Sequence, residues 1–285
     1  MNGEDAVTRF LLLVFLLSLG SGARAQPAAP ESALPFFDAH LHYNWEPSPR
    51  VPLDQVLELF KRTGVRGILA NSRPNAGTHA LYARRSEALQ VIPFLRPYRV
   101  RADVTNWFNN PETMTLIREE FRHGYFAGIG EFHLHGDEAR SPVVADMVRF
   151  AREHRMMLHA HSDVPALDIL FKLYPEALVI WAHTGFSLQA DEVDRMLRTY
   201  PGLIAELSYR GGITDNSGTI SSDWRRLFEK YPDRFLLGSD TWIDERWDSY
   251  ARIMGDYRPW LAQLPPEVAQ QIAWGNAARL FGLKP

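Results

Sequence analysis

Short runs of apolar residues alternate along this chain with longer stretches in which apolar and polar positions recur at helical spacing. Strands that alternate with helices in this way predict an α/β fold with a parallel sheet, and eight repeats favour closure into a (β/α)8 or TIM barrel. The predicted strands span residues 36–42, 65–71, 91–95, 127–133, 156–161, 178–183, 203–207 and 235–240. The predicted helices span residues 53–62, 79–89, 111–123, 142–154, 164–173, 191–200 and 223–230.

The N-terminal region has the order of a secretory signal peptide. Residues 10–19 are almost purely apolar, and Ala23-Arg24-Ala25 places small residues as a cleavage site requires. We therefore predict a signal peptide over 1–25, a tether over 26–33 and a single barrel domain over 34–285, in a periplasmic or secreted protein. An uncleaved anchor or a misassigned start is the alternative, because acidic residues accompany the basic one in this region.

The composition excludes several functional classes. With 285 residues, 46% of them hydrophobic and 23% charged, the chain has the proportions of a globular domain. A formal net charge of -3 lacks the basic footprint of a nucleic-acid-binding protein. The chain has no cysteine, so any metal must bind to His, Asp or Glu. We expect a small-molecule substrate, no nucleic-acid partner and no membrane contact once the signal is removed.

Histidines are concentrated where a barrel of this kind assembles its active site. Of the ten histidines, seven lie at or just past the C-terminal ends of predicted strands. These seven are His40, His42, His133, His135, His159, His161 and His183. The other three, His79, His123 and His154, lie on predicted helices.

His40-Leu41-His42 is the sharpest local feature. Residues i and i+2 of a strand face the same side, so both imidazoles enter the barrel mouth and can bind one metal. Asp38 shares their parity and can brace the site through a hydrogen bond. Two polar residues at an ordinary strand end are the alternative interpretation of this pair.

Residues of ligand type also end other predicted strands. These residues are Glu131, His159, His183 and Asp240. Each one alone is more often a hydrogen-bonded structural group. Because the strand ends of a barrel meet at one face, their convergence favours a metal centre there.

Several motifs together resemble the amidohydrolase superfamily, and most closely its amidohydrolase-related branch, the amidohydrolase 2 type. Asp38-Ala39-His40-Leu41-His42 matches the opening motif, and Ala182-His183-Thr184-Gly185 resembles the strand-six motif. Gly238-Ser239-Asp240 resembles the strand-eight motif, and residues 274–283 are very close to the C-terminal motif. The resemblance covers residues 34–285.

The resemblance implies metal ligands at His40, His42, His159 and His183, with Asp240 as ligand and general base. It implies hydrolysis of an amide, a lactone, an ester or a related bond in a small organic substrate, by a metal-activated water. Zinc is the usual metal of the family, as one or two ions, although such ligands also accommodate Mn, Fe and Co.

Strand four departs from the pattern of those relatives that bridge two metals with a modified lysine. Glu131 stands there instead, in a Gly-x-Gly-Glu setting that resembles TatD-type hydrolases. If Glu131 bridges two metal ions, the site is binuclear. If Glu131 only supports a side chain that binds the metal, the site is mononuclear. We favour a metal bound by Glu131. Some relatives have lost metal dependence.

Further side chains near the predicted mouth are candidates for contact with substrate or for support of a ligand. His161 shares the parity of His159, and only the motif alignment favours His159 as the ligand. The other candidates are His133, His135, Arg73 and Arg210, with Arg99 and Arg101 as further anion anchors. An apolar or ring-bearing substrate is indicated by Trp45, Trp107, Phe186 and Trp242, with core packing as the alternative.

Three functions are consistent with these features. A metal-dependent hydrolase is favoured, and a metal-dependent decarboxylase of the same superfamily is the first alternative. The third is a non-catalytic barrel that binds a metal or a ligand, against which the poised carboxylates argue. The sequence leaves the native metal and the oligomeric state open, a homo-oligomer included.

Overall fold

A computed structural model describes residues 34–45 and 48–283. The predicted signal peptide and tether lie outside the described residues. The described chain forms one sheet of eight parallel strands, paired in the order of the sequence. The strands are β1 Phe36–Leu41, β2 Val65–Ala70, β3 Gln90–Leu95, β4 Gly128–Leu134, β5 Met157–Ser162, β6 Val179–Trp181, β7 Leu203–Glu206 and β8 Phe235–Leu236.

Helices connect the strands and complete the alternation. The first seven are α1 Leu53–Thr63, α2 Ala76–Ala83, α3 Glu112–Phe121, α4 Pro142–Glu153, α5 Val164–Leu173, α6 Ala190–Thr199 and α7 Ser222–Lys230. After β8 follow α8 Glu245–Gly255, α9 Tyr257–Leu261, α10 Pro266–Gln270, a π-helical turn Gln271–Gly275 and α11 Asn276–Phe281. Short 3-10 turns span Arg101–Thr105, Trp107–Asn109, Gly136–Arg140 and Ala182–Gly185.

Hydrogen bonds between β1 and the segment after β8 close the barrel. Ala39 N donates to Leu237 O at 2.8 Å, and Asp240 N donates to His40 O at 2.6 Å. The prediction of a single-domain α/β TIM barrel is therefore confirmed. None of the helices in residues 34–45 and 48–283 is long and apolar enough to cross a membrane.

Apolar side chains fill one end of the barrel and leave the other end to polar groups. A cluster of buried residues joins side chains of most strands, among them Phe37 and Phe94, to the C-terminal helical segment. Phe37 stacks on Phe281 at a centroid distance of 5.5 Å and meets Trp274 edge-on at 6.2 Å. The C-terminal segment thus closes the N-terminal end of the strands, so the polar residues gather at the opposite end, where barrel active sites form.

The predicted sixth and eighth strands end earlier than expected. Extended pairing stops at Trp181 and Leu236, before His183 and Asp240. Both of these residues have φ in the left-handed region, 58° and 47°. Such conformations cost about 1–3 kcal/mol for a residue with a side chain and persist where the surroundings over-determine them, often at active sites.

Candidate metal centre

The His40/His42 pair converges as strand parity predicts. Their Nε2 atoms are 3.2 Å apart, and both side chains are fully buried. Each Nδ1 is held from behind: that of His40 donates to Glu206 Oε2 at 2.9 Å, and that of His42 to Asn71 O at 2.5 Å. With Nδ1 held in this way, a neutral ring has its proton on Nδ1, and its Nε2 can then offer a lone pair to a metal.

Two carboxylates face the same point. His42 Nε2 lies 3.2 Å from both Glu131 Oε2 and Asp240 Oδ1. His40 Nε2 lies 3.5 Å from Glu131 Oε1 and 3.5 Å from Asp240 Oδ1. Nitrogen and oxygen atoms of four side chains, from three different parts of the sequence, therefore share one small volume.

His183 approaches from the turn after β6. Its Nδ1 donates to Ser208 O at 2.9 Å, and its Nε2 lies 3.9 Å from Glu131 Oε1 and 3.8 Å from Asp240 Oδ2. The left-handed backbone at His183 turns this imidazole toward the carboxylates although its strand has already ended.

His159 provides the clearest test of whether a metal fits this site. Both of its ring nitrogens are buried without a hydrogen-bond partner in the described structure, and its ring centroid lies 4.5 Å from that of His40. Burial lowers the pKa of His159 well below its usual value, so the ring is neutral. Orphaned buried polar atoms are rare and call for an explanation. A bound cation would satisfy one of these nitrogens.

Charge in the cluster also favours a bound cation. Glu131, Glu206 and Asp240 are buried together, and the guanidinium of Arg96 contacts Glu131 Oε2 at 2.8 Å. Burial raises the pKa of Asp240, but His40 and His42 together outweigh it and lower that pKa to about 2. Burial likewise opposes charging of His40, yet these carboxylates raise its pKa well above the usual value. Buried negative charge of this density requires cationic partners.

Glu206 is a site residue that the sequence analysis missed. It ends β7, is fully buried, and accepts hydrogen bonds from His40 Nδ1 and from Ser208 N at 2.6 Å. A glutamate at the end of an otherwise apolar predicted strand was the available indication. It was overlooked because no motif contains it.

Arg96 was missed for the same reason. It follows β3 directly and is 1% exposed. One of its terminal nitrogens lies 3.0 Å from His42 Nδ1, and the other donates to Glu131. Arg96 therefore fixes the orientation of Glu131 beside the histidine pair.

Two motif glycines permit the close packing of the ligands. At Gly130, where φ is +132°, a Cβ atom would lie 2.2 Å from His159 O. At Gly238, a Cβ atom would lie 2.2 Å from Glu206 Oε1 and 2.6 Å from His40 Cβ. The Gly-x-Gly-Glu and Gly-Ser-Asp motifs thus serve the packing of neighbouring strands as well as the placement of their carboxylates.

Asp38 supports backbone rather than a ligand side chain. Its Oδ1 accepts from His40 N at 3.2 Å and Ser239 N at 2.9 Å, and its Oδ2 accepts from the Tyr250 hydroxyl at 3.0 Å. Burial raises the pKa of Asp38 to about 6, although these hydrogen bonds oppose the rise. Asp38 thus braces the site through the backbone of His40 and of Ser239, which precedes Asp240.

The structure separates the three remaining mouth histidines. His133 and His161 line the cavity, and their ligand atoms lie within 4.8 Å of those of Glu131. His161 Nδ1 is 3.0 Å from Glu131 Oε1. His135 is exposed, and its backbone N–H donates to Glu138. His135 lies one residue beyond the end of β4, and its ring meets that of His161 edge-on at a centroid distance of 5.9 Å, which places it at the rim of the mouth.

The candidate arginines divide in the same way. Arg73 and Arg101 line the cavity. Arg99 is paired with Asp103 at 3.1 Å. Arg210 is not among the described residues that line the cavity; its guanidinium donates to backbone carbonyls between β6 and α6. The Arg210 guanidinium thus fastens this loop and lies outside the described lining of the mouth cavity.

The mouth cavity has a volume of about 480 Å³ and an aromatic wall. Phe186, Tyr209 and Trp242 line it and are 41%, 46% and 41% exposed. Trp107 is fully buried instead, and its indole N–H donates to a backbone carbonyl of β4. Trp45 packs against the core. Two of the four aromatic residues singled out in the sequence thus belong to the cavity, and two to packing.

Comparison with known proteins adds family and fold. The sequence profile of the amidohydrolase family matches residues 37–283. No curated protein matches the chain.

Similar solved structures share the barrel. An amidohydrolase of Burkholderia multivorans, solved with bound zinc, has a TM-score of 0.57 at 16% identity, covering 88% of this chain and 100% of that one. The same protein with bound HEPES gives a TM-score of 0.56 at 15% identity, with the same coverage. A TatD homologue from Escherichia coli has a TM-score of 0.61 at 18% identity, covering 87% of this chain and 98% of that one. At these identities the likeness shows the fold.

Proposed function

The chain belongs to the amidohydrolase family, and on this premise we propose that it is a metal-dependent hydrolase of small organic substrates with an amide, lactone, ester or related bond. The proposal rests on one observation above all. Nitrogen atoms of His40, His42 and His183 converge on two buried carboxylates, beside a histidine whose two ring nitrogens lack partners.

Six side chains would hold one or two ions: His40, His42, Glu131, His159, His183 and Asp240. A divalent ion bound by them supplies a Lewis acid that polarises the scissile bond and lowers the pKa of a water molecule. We propose zinc, because histidine and carboxylate ligands suit it and because a similar amidohydrolase was solved with zinc.

Asp240 is proposed as the general base. Its low pKa keeps it ionised, its buried Oδ1 has no hydrogen-bond donor in the described structure, and the residue lines the cavity. Asp240 accepts a proton from the attacking water and returns it to the leaving group. The hydrogen bond from Asp240 N to His40 O fixes the backbone that carries this carboxylate.

The cavity walls support a proposal for the substrate class. Trp242 Nε1 donates to the Tyr209 hydroxyl at 2.9 Å, which fixes two of the aromatic side chains as one surface. Arg73 and Arg101 bring positive charge to the same cavity. We propose a small organic acid, or a lactone or amide derived from one, whose apolar part contacts the aromatic wall. We also propose that this chemistry takes place in the periplasm or outside the cell, on the basis of the signal-peptide pattern.

Product analysis tests the proposed reaction. Zinc-loaded protein is incubated in ¹⁸O-labelled water with lactones, esters, amides and aromatic carboxylic acids, beside chelator-stripped protein. We expect a product that contains one labelled oxygen, formed by the loaded protein alone. Release of carbon dioxide without labelled product would identify a decarboxylase, and bound zinc without any turnover would identify a binding protein.

Substitution of Glu206 by glutamine is expected to weaken metal binding by about 10- to 100-fold, the usual effect of losing a partner of a ligating histidine. Glutamine keeps the size of the side chain but removes the negative charge that accepts from His40 Nδ1. Zinc titration against a chromophoric chelator measures the change. Glu229→Gln, in an exposed position on α7, is the matched control. Equal affinity in both variants would contradict the role of Glu206.

A further inference from the structure

A second group of side chains of metal-ligand type lies apart from the mouth cavity. His79 is on α2, Glu120 is on α3, and His123 follows the end of α3. One ligand atom from each lies within 4.8 Å of the others. None of the three is among the described residues that line the mouth cavity. His79 and Glu120 are half-buried and His123 is exposed, so an ion can reach the group from solvent.

His79 is oriented from both sides of its ring. Its Nε2 lies 2.8 Å from Glu120 Oε2, and its Nδ1 is hydrogen-bonded to the Tyr125 hydroxyl. The Tyr125 ring stacks on Tyr82 at a centroid distance of 4.1 Å, which holds that hydroxyl in position. Metal-binding histidines almost always bond their second ring nitrogen to such a partner.

His123 distinguishes the group from a simple ion pair. An ion pair between His79 and Glu120 needs no third residue, yet the ring of His123 lies 4.5 Å from that of His79 between centroids. Two imidazoles at this separation beside a carboxylate repeat the spacing of the His40 and His159 rings in the mouth.

The protonation chemistry is compatible with a metal. When the neutral His79 ring has its proton on Nδ1, it donates to the Tyr125 oxygen, and the Nε2 lone pair then faces Glu120. Two histidines and one carboxylate form a ligand set suited to zinc, with a fourth position left for water.

We propose that His79, Glu120 and His123 form a second metal site, for zinc or another first-row transition ion, which joins α2 to the end of α3. The site is independent of the hydrolase proposal because it shares no ligand with the mouth. Its role is structural. α2 begins after Asn75. The Asn75 side chain donates from Nδ2 to Arg96 O at 3.1 Å and accepts at Oδ1 from Arg96 N at 2.9 Å. An ion that joins α2 to the end of α3 therefore stabilises the start of α2, which positions the backbone of Arg96.

Zinc titration of the full chain tests the site. In a His40→Ala/His42→Ala background, which removes the histidine pair of the mouth, we expect one remaining zinc equivalent and a rise in Tm on zinc addition. Adding Glu120→Gln or His123→Ala should weaken that binding by about tenfold or more and abolish the rise in Tm. Glu119→Gln and His154→Ala, exposed neighbours of the same residue types, are the matched controls and should change neither.

A second comparison guards against misfolding of the double variant. His123→Ala in the otherwise unchanged chain alters one exposed residue and should lower the zinc stoichiometry by one equivalent while leaving turnover unaltered. Unchanged stoichiometry and affinity in His123→Ala would overturn the second site. If instead the mouth binds no metal, the result is different: His40→Ala/His42→Ala would bind as much zinc as the unchanged chain.

Discussion

Asp240→Asn is expected to lower kcat by about 100- to 10,000-fold, the contribution typical of a positioned general base. Asparagine has nearly the same shape and keeps the backbone hydrogen bond to His40 O, so the barrel should remain folded. It cannot accept a proton from water as the carboxylate does. Steady-state kinetics on the substrate identified by product analysis measures kcat. Circular dichroism shows whether the barrel remains folded.

Asp248→Asn is the matched control for this variant, because Asp248 is exposed and pairs with Arg50 at the surface. It should leave kcat unaltered. Zinc content is measured in parallel, since Asp240 is also proposed as a ligand. A loss of turnover at full zinc content supports the role as base, whereas a parallel loss of zinc assigns Asp240 to binding alone. Unchanged turnover would remove Asp240 from the mechanism.

The double variant His40→Ala/His42→Ala is expected to lose the mouth metal and all turnover. Each imidazole supplies an Nε2 within 3.5 Å of both Glu131 and Asp240, and alanine supplies no ligand atom. Elemental mass spectrometry on protein purified without chelator measures the number of metal ions per chain. All samples should also contain His123→Ala, so that only the mouth is counted.

The number of ions lost then decides the role of Glu131. Two would indicate that Glu131 bridges a binuclear site, and one would indicate a mononuclear site in which Arg96 holds the second carboxylate oxygen. Retention of the metal by the double variant would contradict the proposed ligands. Absence of metal from both proteins, even after reconstitution, would leave a metal-independent lactonase-type enzyme or a binding protein.

Local sequence patterns were sufficient for the fold. Each strand and each helix buries particular faces, which produces apolar runs of strand length and amphipathic stretches between them. A barrel repeats this burial eight times, so the pattern recurs along the chain. The His40/His42 pair was predictable for a similar reason, since strand geometry alone places residues i and i+2 on one side.

The same geometry was insufficient for Asp38 and His135. Parity placed Asp38 beside His40, but it did not indicate that the carboxylate would accept from the backbone N–H groups of His40 and Ser239. His135 has the parity of Glu131 but lies beyond the end of β4, so it is exposed. Parity holds only while the chain stays extended, and sequence patterns locate strand ends poorly.

By itself, the sequence determined the barrel, the family and the strand ends at which candidate ligands lie. Only the tertiary structure decided which of those residues meet, and it added Glu206 and Arg96, which no motif contains. Their contacts to His40 and Glu131 join positions 166 and 35 residues apart in the chain. Such contacts depend on how strands far apart in sequence pack side by side. A local pattern records the preference of each segment, not the distance between segments.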